Sequence, residues 1–155
     1  MRSQFFLLIF FASIAPFAFG QAEYIPEQLG RDSHHIIQSL GAFVGNERAE
    51  SQSFDITYMP ASNGVEGIMI INTADYRCTF KFGTIDDICY GLVIDIRSQE
   101  FLSTFYQLFS TYPTQEFEEA RVMTFGDKQI HIAEAASRST RYRSFTLTFF
   151  NTDKR

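Results

Sequence analysis

The hydrophobic period of the chain changes three times, and this change constrains the fold more than any other feature. Apolar residues recur at helical spacing over 27–41, alternate with polar residues from position 53, return to helical spacing over 98–112, and alternate again from position 121. A spacing near 3.6 is typical of an amphipathic helix and a spacing of 2 is typical of a half-buried strand. The sequence therefore predicts a helix, four strands, a second helix and three strands.

Short polar turns separate the predicted strands, and they set the direction of pairing. Asn63-Gly64 and Gly126-Asp127 are suited to two-residue hairpin loops, which join antiparallel neighbours. No alternation of single strands with helices supports a parallel sheet. The predicted class is α+β: an antiparallel sheet of six to seven hairpin-connected strands, packed by helices at about 27–41 and 98–112. The repeated order of helix then strands also allows two related halves.

The first two strands differ in how many faces they bury. In "SFDITYMP", Phe54, Ile56 and Tyr58 alternate with polar residues, which predicts one buried face. The next strand, "GIMIINT", is apolar on both faces, which predicts a central position in the sheet. In the predicted helices, Gly41 is expected to end the first and Pro113 to end the second.

The only two cysteines, Cys78 and Cys89, lie in a predicted hairpin. A four-residue loop, 82–85, would place them directly opposite each other, within the range that a disulfide can bridge. Their spacing does not fit a thioredoxin-like redox pair or a zinc clip. The sequence therefore predicts a structural disulfide between Cys78 and Cys89.

Residues 1–20 have the pattern of a secretory signal peptide. Arg2 is followed by an apolar run over 5–19, and small residues precede a predicted cleavage after Gly20. The run is shorter than the ~20 residues that a membrane span needs. We therefore expect residues 21–155 to form a single exported domain, either secreted or periplasmic, with no membrane span after signal cleavage.

The charge of the expected mature chain limits its partners. Removing Arg2 leaves 12 basic residues against 18 acidic ones, a net charge of −6. Nucleic-acid binding relies on clustered positive charge, so this balance opposes it. Five basic residues do lie in the last eighteen positions, and we interpret them as solvated ends of a hairpin. They are Arg138, Arg141, Arg143, Lys154 and Arg155.

Three histidines are the first candidates for chemistry. His34 and His35 are adjacent on the predicted first helix, so they point about 100° apart and lack the i, i+4 spacing of a metal-binding pair. His131 lies in "QIHIAE" and is expected to pair across a hairpin with Val122. We interpret His34 as solvent-exposed and His131 as a half-buried strand residue, so no metal ligand is assigned.

No other motif indicates catalysis or a cofactor. The sequence has no G-x-S-x-G elbow and no glycine-rich phosphate loop. The carboxylates of Asp86-Asp87 and of Glu116, Glu118 and Glu119 flank turns, where solvated acids are common. We assign neither a catalytic residue nor a cofactor.

The aromatic residues predict both a core and a candidate surface. Phe101, Phe105 and Phe109 follow helical spacing and are interpreted as core. Ile88, Tyr90 and Phe150 are expected to face away from the buried side of their strands. If one face of the sheet carries no helix, these residues would form an apolar patch there, which would mark a binding surface.

Two functional hypotheses follow, and the enzymatic status is left open with a preference against catalysis. The first is a non-catalytic exported domain that binds a protein partner or small ligand on its sheet, as an inhibitor, an immunity-type protein or an envelope accessory protein would. The second is a secreted hydrolase or metal-dependent enzyme that uses His131 with His34, His35 or a carboxylate.

Overall fold

The computed structural model describes residues 22–44, 55–118, 120–136 and 143–149. Within these residues three helices and eight strands are formed. In chain order they are α1 (22–27), α2 (Ser33–Val44), β1 (Asp55–Met59), β2 (Gly67–Asn72), β3 (Tyr76–Phe82), β4 (Cys89–Ile96), α3 (Gln99–Thr111), β5 (Thr114–Glu116), β6 (Arg121–Phe125), β7 (Lys128–Ala136) and β8 (Arg143–Phe149).

The strands form one antiparallel sheet that joins two similar halves. The order is β1-β2-β3-β4-β8-β7-β6-β5, so each half is a helical segment followed by a four-strand meander. The last strands of the two halves, β4 and β8, pair with each other at the centre. The predicted α+β class is confirmed, and the sheet has eight strands rather than six or seven.

One face of the sheet carries the core, and we call it the helix face. The rings of Phe105 on α3 and Phe145 on β8 lie 4.9 Å apart, and Ile36 of α2 belongs to the same buried cluster. Burying a large apolar side chain contributes about 1.5–3 kcal/mol, so this layer supplies much of the stability. Its sheet residues are Met69, Ile71, Tyr76, Cys78, Phe80, Phe82, Cys89, Leu92, Ile94, Ile96, Met123, Ile130, Ile132, Phe145 and Leu147.

The predicted helix over 27–41 is two helices in the structure. Gly30 follows α1 with a φ of 83°, and a Cβ there would lie 3.1 Å from a ring carbon of Phe149. Asp32 then caps α2, because its Oδ1 accepts a hydrogen bond of 2.7 Å from the backbone N–H of His35. The predicted start was therefore wrong, and so was the predicted end, since α2 continues through Gly41.

Helix α3 agrees with the prediction for 98–112. The Ser98 hydroxyl accepts a hydrogen bond of 3.2 Å from the backbone N–H of Phe101, which caps the first turn. The helix ends at Thr111, and Tyr112 is its C-cap, directly before Pro113. Phe101 and Phe105 are buried, and Phe109 packs against the core, so these residues are core as predicted.

The predicted register of the cysteine hairpin was wrong. Cys78 pairs with Ile94, and Cys89 pairs with Phe82. The connection from β3 to β4 is six residues, 83–88, and a register shift lies beside Phe82. The two cysteines are therefore offset by four residues, about 13 Å along the sheet, whereas a disulfide needs Cα atoms within ~7 Å. The geometric basis for the predicted bond is lost, and both thiols are free and buried.

The edge strands differ from the sequence prediction. β1 is an edge, so Ile56 is 40% exposed instead of buried. β2 is internal, as predicted, but it lies next to this edge, and the centre of the sheet is β4 beside β8. The three-residue strand β5 was not predicted, because its sequence, Thr-Gln-Glu, has no apolar pattern.

The two-residue hairpin loops are confirmed. Asn63 and Gly64 have φ values of 52° and 78°, and such positive values at both positions are required in a type I′ turn. Gly126, with a φ of 62°, lies in the loop that joins β6 to β7. The register of that hairpin places His131 opposite Val122, as predicted.

Several predictions fall outside the described residues. They concern the leader 1–20 and Phe54, Glu119, Arg138, Arg141, Phe150, Lys154 and Arg155. In the part of the chain that the structure describes, no helix combines the length and the hydrophobicity needed to cross a membrane.

Candidate functional site

The structure places the three histidines on opposite sides of the sheet. His34 and His35 are exposed on α2, on the helix face, and His34 Nε2 lies 2.9 Å from Gln38 Nε2. His131 lies on β7, and its neighbours Ile130 and Ile132 are the residues that face the core. The exposed His131 side chain was predicted to be half-buried. The sheet therefore separates His131 from the α2 histidines, and no group of three His, Cys, Asp or Glu in the described chain is arranged to hold a metal.

In each predicted carboxylate cluster one acid has a structural partner. Asp86 Oδ1 accepts a hydrogen bond of 3.2 Å from the backbone N–H of Ile88, which closes the turn after β3. Glu116 Oε1 lies 3.2 Å from Arg121 Nε across the β5–β6 pair. Asp86 therefore stabilises a turn, and Glu116 forms an ion pair between neighbouring strands.

A polar cluster that the sequence did not indicate links α2, β1 and the turn before β4. The Tyr58 hydroxyl donates to Ser33 Oγ at 2.9 Å, and Ser33 Oγ donates to Asp87. Ser33 is 5% exposed, and Asp87 has a positive φ of 52°. Ser33 and Asp87 are 54 positions apart, and no local pattern relates them. The cluster fastens the three elements together on the helix face.

The cysteines are unsuited to nucleophilic or metal chemistry. Burial raises the pKa of Cys78 well above its ordinary value of 9.0, and the charge of the Cys89 thiolate adds to the shift. Burial also raises the pKa of Cys89 to about 12, against smaller opposing effects of backbone hydrogen bonds at Gly91 and Lys81. Because the thiolate is the reactive and ligating form, both residues act as core side chains at neutral pH.

The side of the sheet opposite the helix face is the most extensive candidate surface, and we call it the open face. In the internal strands, alternate side chains point to this side, and each is half-buried or exposed. Aliphatic and threonine side chains dominate its centre, with one lysine and one histidine. The residues are Ile68, Ile70, Thr79, Lys81, Val93, His131, Ala133, Thr146 and Thr148.

One end of the open face is polar. Arg77 of β3 lies opposite Asp95 of β4, and the Ser144 hydroxyl donates to Asp95 Oδ1 at 2.6 Å. Asn72 pairs with Arg77 in the register, and its buried Oδ1 has no hydrogen-bond partner in the described chain. This row of polar residues forms a rim beside the apolar centre.

The other end of the sheet carries exposed apolar side chains. The β1–β2 and β3–β4 turns lie at this end, since Gly67 pairs with Phe82. Met59 is 48% exposed, Val65 is 67% exposed, and Ile85 is 98% exposed. We call these three residues the loop-end cluster. Met59 lies on the open face, opposite Ile68, and the other two lie in the turns.

The patch predicted from Ile88, Tyr90 and Phe150 has a different composition. Ile88 does not lie in β4. It forms an isolated β-bridge with Asp32, the residue before α2. Tyr90 is half-buried, and burial together with a hydrogen bond to Glu66 raises its pKa to about 12. Phe150 lies outside the described residues. Among the described residues no helix packs on this face, which was the condition for the predicted patch, and its apolar residues come mainly from β2 and β4.

The helix face also has a concave feature, which we call the Glu134 cleft. It is a half-open cleft of about 810 Å³ between the β5–β6 connection and the adjoining strands β7 and β8. Its lining includes Glu116, Phe117, Glu118, Arg121, Glu134 and Arg143.

Comparisons of the chain with protein-family models, with curated proteins and with solved structures each return no match.

Proposed function

We propose that the chain is a non-catalytic exported domain that binds a basic protein partner through the open face of its sheet. The observation that carries the proposal is the composition of this face. Its centre is aliphatic and threonine-rich, a polar rim lies at one end, and the exposed Met59 lies near the other end. Protein interfaces combine a centre depleted in charge with a polar rim in the same way.

The shape of the open face supports a protein rather than a small ligand. Five neighbouring strands, β2, β3, β4, β8 and β7, make up this face. At ~4.8 Å between strands the surface is about 20 Å wide. A twisted surface of this width has the scale of one side of a standard protein interface, roughly 800 Å². Small molecules instead bind in enclosed cavities that cover most of their surface.

The charge of the chain supports a basic partner. The expected mature chain has 12 basic and 18 acidic residues, so its net charge is −6. Net charge of this sign accelerates encounter with a positively charged protein and disfavours acidic ones. An inhibitor or immunity-type protein is one form that such a domain takes.

Export is part of the same proposal, and it rests on the leader sequence. The apolar run over 5–19 and the small residues before Gly20 support cleavage there. The core includes Ala22, which is fully buried, and Ile25, which is 1% exposed. Buried core residues therefore lie immediately after the proposed cleavage site, as expected if the exported domain includes position 22 onward.

Exposed open-face positions allow a test that leaves the core intact. We would isolate the protein from its native host and compare the wild type with Thr146→Arg and Ala133→Arg. Both side chains are exposed on the open face, and Gln107→Arg on the exposed side of α3 is the matched control. We expect the wild type and the control to retain one partner and both open-face variants to lose it, with unchanged far-UV circular dichroism. Retention of the partner by both variants, or its absence from the wild type, would overturn the proposal.

A further inference from the structure

We propose that the Glu134 cleft binds a zwitterionic small molecule with an apolar body, of the chemical class of free α-amino acids with large apolar side chains. The cleft is on the helix face, so it is separate from the open face and the inference does not depend on the proposed function. Its volume of about 810 Å³ lies within the range of small-molecule sites, ~300–1,000 Å³.

Glu134 organises the positive side of the cleft. Its Oε1 accepts hydrogen bonds from the Tyr106 hydroxyl at 2.7 Å and from Arg143 Nη1 at 3.3 Å, and its Oε2 accepts one from Arg121 Nη1 at 3.5 Å. One carboxylate therefore holds two guanidinium groups side by side. Glu134 is a positioning residue, because it fixes the direction in which both groups point.

The two arginines keep unused donors for a ligand. Each guanidinium has five N–H donors, and Arg143 has a single hydrogen bond to Glu134 in the described chain. Its side chain is 49% exposed. Arg121 is held more firmly, by Glu116, by Glu134 and by the Phe109 ring 4.9 Å from its guanidinium carbon. Arg143 is therefore the more available group, and its planar fork matches a carboxylate.

The opposite wall supplies a negative group and an aromatic one. Glu118 is exposed and has no ion-pair partner among the residues that the structure describes. Phe117, between Glu116 and Glu118, is 60% exposed and lines the cleft. An ammonium group would pair with Glu118, and an apolar body would cover the Phe117 ring.

The charge balance of the cleft favours a zwitterion over an ion of one sign. Its lining has three carboxylates and two guanidinium groups. The excess of carboxylates would repel a simple anion, and the half-exposed guanidinium group of Arg143 would repel a simple cation. A zwitterion satisfies the free donors of Arg143 and the free acceptors of Glu118 together, without adding net charge.

Matched ligands test this inference directly. We would titrate the folded protein with L-phenylalanine and with L-leucine, and follow amide shifts of Arg121, Glu134 and Arg143 by NMR. Phenylacetate and phenethylamine serve as analogues of phenylalanine that lack one charge each. We expect an amino acid to bind at least tenfold more tightly than either analogue. Equal binding of an analogue, or no shift with either amino acid at ~10 mM, would overturn the inference.

Variants locate the binding to the cleft. We expect Arg143→Gln and Glu118→Gln each to weaken amino-acid binding at least tenfold with unchanged thermal unfolding. Arg31→Gln and Glu100→Gln remove the same charges from exposed positions outside the cleft and should leave binding unchanged. Binding that survives both cleft substitutions would refute the assignment. The open-face variant Thr146→Arg should bind the amino acid normally, which separates this result from the test of the proposed function.

Discussion

Leu92 of β4 lies directly opposite Leu147 of β8, and this pair joins the two halves of the sheet at its centre. Leu92 is 1% exposed and Leu147 is fully buried. The two strands come from different halves of the chain, yet they form a single buried layer with the helices. The two halves should therefore unfold together rather than as separate units.

Leu147→Ala tests this connection. Removing a fully buried leucine side chain should lower the free energy of unfolding by about 2–5 kcal/mol, because transfer free energy is lost and a cavity remains. Urea unfolding followed by far-UV circular dichroism and by tyrosine fluorescence should give one coincident transition. Thr146→Ala, at the exposed neighbouring position, should change stability by less than about 0.5 kcal/mol. Two separated transitions would show that the halves are independent.

The cysteines should be unreactive in the folded protein and reactive after unfolding. Cys78 and Cys89 are buried free thiols in the structure, and burial raises the pKa of each. We expect no alkylation at pH 8 under native conditions and two alkylated thiols in denaturant, counted by mass spectrometry without reductant. A mass two hydrogens lower that resists alkylation in denaturant would instead establish the disulfide and contradict the observed register.

The free energy of unfolding should fall as the pH rises above 9. The pKa of Cys89 is raised from 9.0 to about 12 by burial, and the pKa of Tyr76 is raised from 10.0 by the same cause. A raised pKa in the folded state means that the unfolded chain loses its protons first, so the contribution is complete below the unfolded pKa and is lost between the two values. Urea unfolding at several pH values from 7 to 11 measures this decline.

Tyr76→Phe provides the control for that pH dependence. The ring should keep its stacking on Phe101, at 4.6 Å between centroids, while one titrating group is removed. The decline of stability above pH 10 should therefore be shallower in the variant. A wild-type stability that is constant or rising between pH 9 and 11 would contradict the assignment of buried, protonated groups.

Asp87 should stabilise the folded state through its hydrogen bonds and destabilise it through its positive φ. Replacing it by alanine removes the acceptor of the Ser33 and Tyr58 hydroxyls and should lower the free energy of unfolding by about 2–3 kcal/mol. Asp87→Gly also removes the acceptor, but glycine adopts the φ of 52° freely and should recover about 1 kcal/mol relative to alanine. A glycine variant no more stable than the alanine variant would refute the backbone argument.

Local patterns predicted the elements whose determinants lie within a few residues. Ser98 and Pro113 predicted the two ends of α3. Asn63-Gly64 predicted a two-residue turn, and both residues have the positive φ values that such a turn requires. The His131–Val122 pairing followed from the hairpin centre at Gly126-Asp127. In each case the deciding chemistry is local, so the sequence alone was sufficient.

The errors arise where distant residues decide the structure. Gly30 breaks the opening helix where the Phe149 ring approaches, and that ring is supplied by the last strand. The longer β3–β4 loop and the register shift beside Phe82 displaced Cys89 from Cys78. The Ser33–Asp87 hydrogen bond and the pairing of β4 with β8 join positions far apart in sequence. No periodicity in the chain reports such contacts.

The most direct test of the proposed binding surface is site-specific photo-crosslinking in the native host. A photoreactive amino acid would replace Thr146 on the open face or, separately, Gln107 on the exposed side of α3. We expect a crosslinked complex with one basic protein from position 146 and none from position 107. A complex formed only from position 107, or none from position 146, would contradict binding through the open face.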